Sequence, residues 1–454
     1  MNFLMICTDQ LRADCVGYAK KYPVLTPNLD MLASESVRFS EAYCALPTCC
    51  PARQSMICGR RPEKIGAFWN YDITFPVGSI SVDEYSWARS FQESGYRTCY
   101  IGKWHVSPTL TPRDFGYDEY ISEWDIVQEI RKNYPEYTWK CDWRGEISPL
   151  PTEKSVTHLQ VFKALEFLER NQSKDFHLRV DFADPHLPCR PSKEFAQMYS
   201  ASEIPQWSGF AETFENKPYI QRQMVRNWDN QNRTWADFSE TVALYYAMIT
   251  QVDDAIGILL RKLKELGLYE NTVIVFTSDH GDMCGSHRMT DKHYVLYDDV
   301  VRVPLLVHVP RQEGKNCADY VINSLDLAPT LCDLFGFSAC ADFEGISLKS
   351  AIEGKDYDKR DCIVSTFNGQ QFGLYTLRMI KQGKLKYIWN PVDTDELYDL
   401  EKDPGELVNR ITDPKYGESL AIMRKKLYAE LKRMKDPVLR GEWLAPQLLK
   451  GNKI

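Results

Sequence analysis

This 454-residue sequence lacks the cysteine spacing typical of zinc-binding proteins and the basic net charge typical of nucleic-acid-binding proteins. None of its 14 cysteines forms a Cys-x-x-Cys pair, so the common spacing of a zinc site is absent. The cysteines fall at irregular intervals within apolar segments, and we expect reduced thiols rather than a disulfide framework. The net charge of −8 argues against a nucleic-acid partner, because phosphate backbones select basic surfaces.

Targeting and membrane-spanning segments are also missing. The first residues, MNFLMICTDQ, lack the basic stretch and the small-residue cleavage site of a signal peptide. No apolar run in the sequence is long enough to cross a bilayer. We therefore expect a cytoplasmic protein with no membrane partner, and the residues leave its oligomeric state unknown.

Short apolar runs alternate with amphipathic helical stretches over most of the chain. The predicted strands are Phe3–Thr8, Arg97–Ile101, His177–Phe182, Thr272–Thr277 and Pro304–Val309. The predicted helices are Thr26–Ser36, Ser81–Ser94, Ser155–Asn171 and Phe238–Leu266. Such alternation predicts an α/β fold of parallel strands with helices on both faces of the sheet.

The pattern changes from about Arg360 onward. The segments there indicate antiparallel strands with turns, followed by one amphipathic helix over Gly417–Lys435. We therefore predict a catalytic α/β domain over residues 1–358 and a smaller C-terminal α+β domain over residues 359–454. The segments Trp124–Pro151 and Ile204–Trp235 show no periodicity and are predicted to be long loops, which are often functional.

Acidic residues follow two of the predicted strands. Asp9 stands in TDQ, and Asp279 with His280 stands in TSDHGD. Sites in open α/β sheets lie beyond the carboxyl ends of the strands, so we expect these segments to converge. Two carboxylates with few soft ligands suit a hard divalent cation, Ca²⁺, Mg²⁺ or Mn²⁺. The alternative is that each aspartate caps the next helix.

Basic residues follow the strands as well. Lys103 and His105 in GKWH alternate along a segment that we expect to be extended, His186 stands in ADPHLP and Lys292 in MTDKHY. Taken singly, each is a surface lysine or a satisfied histidine. Gathered at one sheet edge, they would repel one another unless an anion lay among them. A site that holds an oxyanion against a metal suits phosphoryl or sulfuryl transfer.

The stretch TCCPARQSMICGRRP places two adjacent cysteines and a proline at a predicted helix start, with three arginines close by. A helix amino terminus favours anions. Either the cysteines are a buried, inert pair, as most free cysteines are, or one of them is reactive.

The same stretch contains Cys-x-Pro-x-Arg, running from Cys49 through Pro51 to Arg53. It resembles the sulfatase signature, in which a maturase oxidises the first cysteine to formylglycine. The segments TDQLRAD, GKWH, DPHLP, TSDHGDMCGSH, DKHYVLYDDVVRVPLLV and DELYDLEKDPGELVN resemble type I sulfatase segments in the same order. The chain is thus similar to type I sulfatases of the alkaline phosphatase superfamily, in the iduronate-2-sulfatase-like and choline-sulfatase-like branches.

This resemblance implies a large mixed, mostly parallel sheet flanked by helices, with an antiparallel sheet in the smaller C-terminal domain. It also implies one divalent cation, most readily Ca²⁺, held by Asp9, Asp279, His280 and an oxygen of the hydrated formylglycine made from Cys49. Arg53 would stabilise that hydrate.

The resemblance further implies a covalent route for sulfate ester hydrolysis. One hydroxyl of the hydrate attacks sulfur, and His186 and Lys292 neutralise or protonate the leaving oxygen. His105 then takes the proton of the second hydroxyl, which expels sulfate, while Lys103 holds sulfate oxygens. Asn70 matches by spacing an asparagine that contacts the transferred group. Splitting one displacement into two easier steps is the benefit of such covalent catalysis.

Two departures from the pattern bear on these expectations. Gln10 stands where many sulfatases have a second aspartate, and it offers either a weaker ligand or none. His280 replaces the asparagine of some arylsulfatases, as it does in a branch of phosphonate monoester hydrolases, which raises a phosphodiesterase or phosphonate ester hydrolase as a rival. That branch lacks the lysine and histidine of GKWH, and we therefore favour sulfate esters.

The expected substrate is a sulfated carbohydrate, with tryptophans of the predicted loops stacking on sugar rings. These tryptophans are Trp69, Trp139, Trp143, Trp207 and Trp228. Core packing, or an aromatic cage for a choline-type substrate, explains them equally well. A rival of another class is a catalytically silent protein that binds sulfated glycans.

Overall fold

The fold is described from a computed structural model of the chain. It describes residues 1–72, 75–135, 137, 140–340, 342–369, 371 and 373–451. The main sheet of this part of the chain has eight strands: β1 (Asn2–Thr8), β2 (Val37–Tyr43), β3 (Arg97–Gly102), β4 (Glu119–Ser122), β5 (Phe176–Asp181), β6 (Thr272–Ser278), β7 (Leu305–His308) and β8 (Lys315–Ile322).

The strand order is β4-β3-β5-β1-β6-β7-β2-β8. β1 lies near the middle and pairs in parallel with β5 and β6, and β3 pairs in parallel with β4 and β5. β7 runs antiparallel to both of its neighbours. The expected mixed, mostly parallel sheet is therefore confirmed, and β7 is the exception to the parallel arrangement predicted from the alternation of strands and helices.

Helices cover both faces of this sheet. The helices of the described residues are α1 (Pro27–Ser34), α2 (Cys49–Cys58), α3 (Trp87–Glu93), α4 (Glu123–Asn133), α5 (Val156–Asn171), α6 (Lys193–Ala196), α7 (Tyr219–Asn227), α8 (Trp235–Glu265), α9 (Asp298–Val301), α10 (Asn323–Phe335), α11 (Lys349–Glu353), α12 (Gly417–Arg433) and α13 (Leu444–Lys450). Side chains of β1 alternate between the two cores: Phe3 and Met5 pack on the α2, α3 and α10 side, whereas Leu4 and Ile6 pack on the α1, α5 and α8 side.

The long helix α8 is the one helix of the described residues that is long and apolar enough to cross a membrane, so the expectation that no segment reaches that length was wrong. Of its most apolar 18-residue window, 83% is buried inside the protein. Such burial is typical of a core helix, because the apolar face that would meet lipid is already covered by the sheet and its neighbours.

A second, antiparallel sheet follows in the C-terminal part. Its strands, in the order β12-β11-β10-β9, are β9 (Ile363–Gly369), β10 (Tyr375–Gln382), β11 (Leu385–Trp389) and β12 (Glu396–Asp399). One face packs on α12 and α13. The other contributes Ile363 and Phe367 to the core of the main sheet. The predicted antiparallel sheet and helix are confirmed, whereas the domain boundary at residue 358 stays a prediction.

The two predicted long loops each contain a helix, so that prediction was wrong in part. α4 lies within the first segment and α7 within the second. α4 buries only Ile126 and Ile130 fully. Its apolar face is therefore narrow, and the helical periodicity of its sequence is hard to recognise beside the neighbouring aromatic residues. α7 buries Ile220, Met224 and Val225 on one face.

Candidate active site

Four polar segments meet at one edge of the main sheet. Asp9 follows β1 and Asp279 follows β6, and these two strands pair in parallel. On the other side of β1, β5 leads towards His186, and its neighbour β3 leads into Lys103. Because parallel strands end at the same edge, residues that are far apart in sequence lie side by side here.

Asp9, Cys49, Asp279 and His280 form a buried group whose ligand atoms all lie within 4.8 Å of one another. His280 Nε2 lies 3.3 Å from Cys49 Sγ and 3.9 Å from Asp9 Oδ1. The distance from His280 Nε2 to Asp279 Oδ1 is 3.8 Å. This group is the one that the resemblance implies for the cation, with the Cys49 sulfur standing in for the oxygen of a formylglycine hydrate.

The donor set and its spacing fit a divalent cation. Adjacent oxygen ligands bound at about 2.3–2.6 Å to one ion lie roughly 3–4 Å apart, which is the spacing seen here. Arg53 binds the far oxygens, with Nη2 3.0 Å from Asp9 Oδ2 and Nε 2.9 Å from Asp279 Oδ2. Both Oδ1 atoms are thereby turned towards the Cys49 and His280 side of the group.

The electrostatics of the group also favour a cation. Burial, and then the neighbouring Asp9 carboxylate, raises the pKa of Asp279. Burial alone would lower the pKa of His280, yet Asp279 and Cys49 raise it to about 9. A divalent ion would relieve the repulsion between the carboxylates and take the place of the histidine proton.

Cys49 is the first residue of α2, as the sequence predicts, and it is 1% exposed. Burial alone would raise the pKa of its thiol, but Lys292, Lys103 and His280 lower that pKa well below its ordinary value. In the adjacent Cys50, burial raises the pKa of the thiol to about 12. Of the two neighbouring cysteines, Cys49 is therefore the one with thiolate character.

Asp181, the last residue of β5, belongs to the site but was not predicted from the sequence. Its buried carboxylate lies 2.8 Å from Arg53 Nη1 and 2.8 Å from Arg179 Nε, and Tyr100 donates to it at 2.7 Å. Asp181 thus fixes the guanidinium that orients the two acidic ligands. An acidic residue ending the apolar strand HLRVD, just before DPHLP, is the signal that could have revealed it.

Lys103 and His105 both face the site. Lys103 Nζ lies 2.7 Å from Asp9 Oδ2. His105 Nε2 is 3.7 Å from Asp72 Oδ2. Burial alone would lower the pKa of His105, but Asp72 and Cys49 raise it. The expected extended backbone is wrong at His105, which has a φ of 42° in the left-handed region.

Lys292 and His186 contact each other directly, and Lys292 interacts electrostatically with Asp291, Cys49 and Asp9. Lys292 Nζ is 2.9 Å from His186 Nε2, 2.9 Å from Gln10 Oε1 and 3.2 Å from Asp291 Oδ1. His186 Nδ1 is 2.6 Å from the Leu187 carbonyl oxygen, so Nδ1 carries the proton and Nε2 accepts from the lysine.

The amide of Gln10 has partners at both ends. Its oxygen accepts from Lys292, and its nitrogen donates to Asp291 at 2.9 Å and to Asp282. Gln10 thus holds the Lys292 ammonium in place, and the choice between a weaker metal ligand and none stays a prediction.

Asn70 is nearly buried, and its side-chain oxygen accepts from the Cys50 backbone amide at 3.0 Å. It therefore satisfies one of the unpaired amides at the start of α2. Its contact with the transferred group stays a prediction.

The tryptophans expected to stack on sugar have other surroundings. Trp207 is buried in the core, where the Arg12 guanidinium lies 4.2 Å from its ring centroid, so the core-packing alternative is confirmed for this residue. Trp143 packs edge-on against Trp228 at 5.5 Å. Trp139 lies outside the described residues.

Comparisons with known proteins agree with this site. The sulfatase family model matches residues 1–337, and the model for the C-terminal region of N-sulphoglucosamine sulphohydrolase matches residues 285–434. An arylsulfatase of Clostridium perfringens is 31% identical over 99% of this chain and 97% of its own length. A Delta 4,5-hexuronate-2-O-sulfatase of Bacteroides thetaiotaomicron is 28% identical over 96% of this chain and 89% of its own.

Among solved structures, the phosphonate monoester hydrolase of Agrobacterium radiobacter superposes with a TM-score of 0.82. It is 23% identical, and the match covers 95% of this chain and 96% of that one. At this identity the likeness shows the shared fold alone. The family match over most of the chain, together with the buried ligand group next to Cys49, shows that the chain belongs to the type I sulfatase family and is a sulfuric ester hydrolase.

Proposed function

We propose that the chain hydrolyses a sulfate monoester of a carbohydrate, with formylglycine made from Cys49 as its nucleophile and Ca²⁺ as its cation. The observation that carries the proposal is the position of Cys49 within the buried ligand group, where it also interacts electrostatically with Lys292, which contacts His186. A sulfate ester placed there would meet cationic groups around its sulfuryl oxygens and a proton donor at its bridging oxygen.

Asp9, Asp279 and His280 would hold the cation. When bound, it supplies positive charge that lowers the pKa of a coordinated hydroxyl and offsets the charge that develops on sulfuryl oxygens. The two carboxylates, with an oxygen in place of the Cys49 sulfur, favour a hard ion such as Ca²⁺. Arg53 supports this role by fixing the orientation of both carboxylates.

The remaining side chains bind, orient or move protons. The Lys103 ammonium points into the group at Asp9 and is placed to hold a sulfuryl oxygen. Lys292 donates to His186 Nε2, so together they present a proton that can pass to the leaving oxygen. His105, beside Cys49, is placed to accept the proton of the hydrate when sulfate is released.

The carbohydrate part of the proposal rests on the names of relatives. One acts, by its name, on the 2-O-sulfate of an unsaturated hexuronate, and it shares nearly the full length of this chain. The rival activity, hydrolysis of a phosphonate ester, is suggested by the similarity to a phosphonate monoester hydrolase structure that is 23% identical. A similarity at this identity supports the fold only. Lys103 and His105 favour the sulfate ester, as the resemblance implies. The cytoplasmic location stays a prediction.

The experiment is aryl sulfate turnover by protein co-expressed with a formylglycine-forming maturase. Cys49→Ala should lose turnover by at least about a thousandfold, because a nucleophile has been removed. Cys50→Ala is the matched control and should retain turnover, since its sulfur contacts Gln54 and the Val106 carbonyl oxygen and does not belong to the buried ligand group. Comparable kcat/KM on matched phosphonate and sulfate esters, or a preference for the phosphonate, would refute the sulfate ester assignment.

A further inference from the structure

A cavity of about 100 Å³ lies beside the candidate active site, at the same edge of the main sheet. It is enclosed by the first turns of α4 and α5 and by the segment that follows β5. Glu123, Gln160 and Asp184 are among the residues that line it. The volume is several times the roughly 10–15 Å³ that one water molecule needs.

Gln160 brings an unpaired donor to this cavity. The side chain is 1% exposed, and within the described part of the chain its Nε2 has no hydrogen-bond partner. A methyl group added at Gly102 would lie 2.8 Å from that nitrogen, which places the amide beside the residue that precedes Lys103. A buried amide without a partner costs free energy, so a ligand that pairs with it gains affinity.

Two carboxyl groups add acceptors. Asp184 lies two residues before His186, and among the described residues the Thr157 hydroxyl is its one hydrogen-bond donor. Glu123 is half-buried and makes no hydrogen bond or ion pair with any residue that the structure describes. Burial raises the pKa of Asp184 to about 6, and burial together with Asp184 raises the pKa of Glu123. Glu123 therefore has no hydrogen-bond donor and Asp184 has one, so both carboxyl groups can accept further hydrogen bonds.

This combination selects a class of ligand. An anionic group would meet Glu123 and Asp184 together with one cation, Arg190, which is already paired with Glu146 at 3.4 Å. An apolar group would leave Glu123 and the Gln160 amide without partners. Hydroxyl groups donate to carboxylates and accept from an amide, so a ring with neighbouring hydroxyls satisfies all three.

We propose that the cavity bordered by Glu123, Gln160 and Asp184 binds the hydroxyl groups of the sugar ring that carries the sulfate. The inference rests on the proposed function, because it takes the leaving group to lie next to His186 and Lys292. The sugar then extends from His186 along the segment after β5 towards Asp184, and its hydroxyl pattern decides which sulfated sugar is accepted.

The test compares two substrate types in protein with modified Cys49. The probes are 4-nitrocatechol sulfate, which has no sugar ring, and N-acetylglucosamine 6-sulfate, galactose 6-sulfate and N-acetylgalactosamine 4-sulfate. For the sugar that the wild type turns over best, Glu123→Gln and Gln160→Leu should each lower the ratio of sugar to aryl kcat/KM by about tenfold or more, chiefly through KM. Glu129→Gln, an exposed change on α4, is the control and should leave the ratio unaltered.

The outcomes separate the two claims. Three outcomes would overturn the proposed sugar site. The variants could lose equal kcat/KM on aryl and sugar substrates, or they could leave the ratio unchanged. The wild type could also turn over the aryl sulfate but none of the three sugars. Absence of aryl sulfate turnover by fully modified wild type refutes the proposed function, and with it the subsite.

Discussion

Asp181 provides the sharpest test of how the site is held together. Its carboxylate is fully buried, and it accepts from two guanidinium groups, those of Arg53 and Arg179, at 2.8 Å. Asp181→Asn keeps the size and shape of the side chain but removes the negative charge that Arg53 and Arg179 share. Removing one partner of a buried ion pair costs about 3–5 kcal/mol in the free energy of unfolding.

The assay is urea unfolding followed by tryptophan fluorescence, with Asp175→Asn as the matched control. Asp175 directly precedes the same strand, but its side chain is 55% exposed, so the same substitution should cost less than about 1 kcal/mol there. Asp181→Asn should also weaken cation binding, because Arg53 would no longer be fixed against Asp9 and Asp279. If the two variants unfold at the same urea concentration, the claim that Asp181 anchors the ligand group is refuted.

Three further predictions follow from the same contacts. Chelation should lower the melting temperature of protein with modified Cys49, and Ca²⁺ at a hundred times its dissociation constant should restore about 2.7 kcal/mol of stability; an unaltered melting curve would contradict the cation site. Burial lowers the pKa of His177 to about 3, so the folded state keeps this ring neutral while the unfolded state binds a proton below about pH 6.5. The free energy of unfolding should therefore fall by at most about 4–5 kcal/mol as the pH is lowered from 6.5 towards 3. His177→Gln should flatten that pH dependence of unfolding, and an unaltered slope would count against it. Asn70→Ala should cost about 1 kcal/mol in thermal unfolding through loss of the hydrogen bond to the Cys50 amide, and no loss would exclude the capping role.

Much of the fold was predictable because strands and their polar ends are local patterns. Five predicted strands agree with observed ones to within one or two residues, and Asp9 and Asp279 follow strands that are paired in the sheet. The antiparallel direction of β7 was not predictable from the alternation, since a short apolar run carries no information on direction. α4 and α7 were missed because their apolar faces are narrow and set among aromatic residues.

The parts of the site that were missed depend on distant contacts. Asp181 matters through its contact with Arg53, which is 128 positions away in sequence. The engagement of Gln10 with Lys292, and the unpaired amide of Gln160, likewise arise only when separate segments are packed together. Trp207 shows the converse, because composition alone could not tell a buried ring from one that faces a ligand.

The central claim is that the side chain at position 49 becomes the nucleophile. The most direct measurement is the mass of the peptide that contains Cys49, taken across samples with graded maturase co-expression and compared with the aryl sulfate turnover of each sample. The account predicts that turnover rises in proportion to the fraction of Cys49 converted from thiol to aldehyde. Turnover by samples in which Cys49 is wholly unconverted, or none in samples in which it is fully converted, would contradict it.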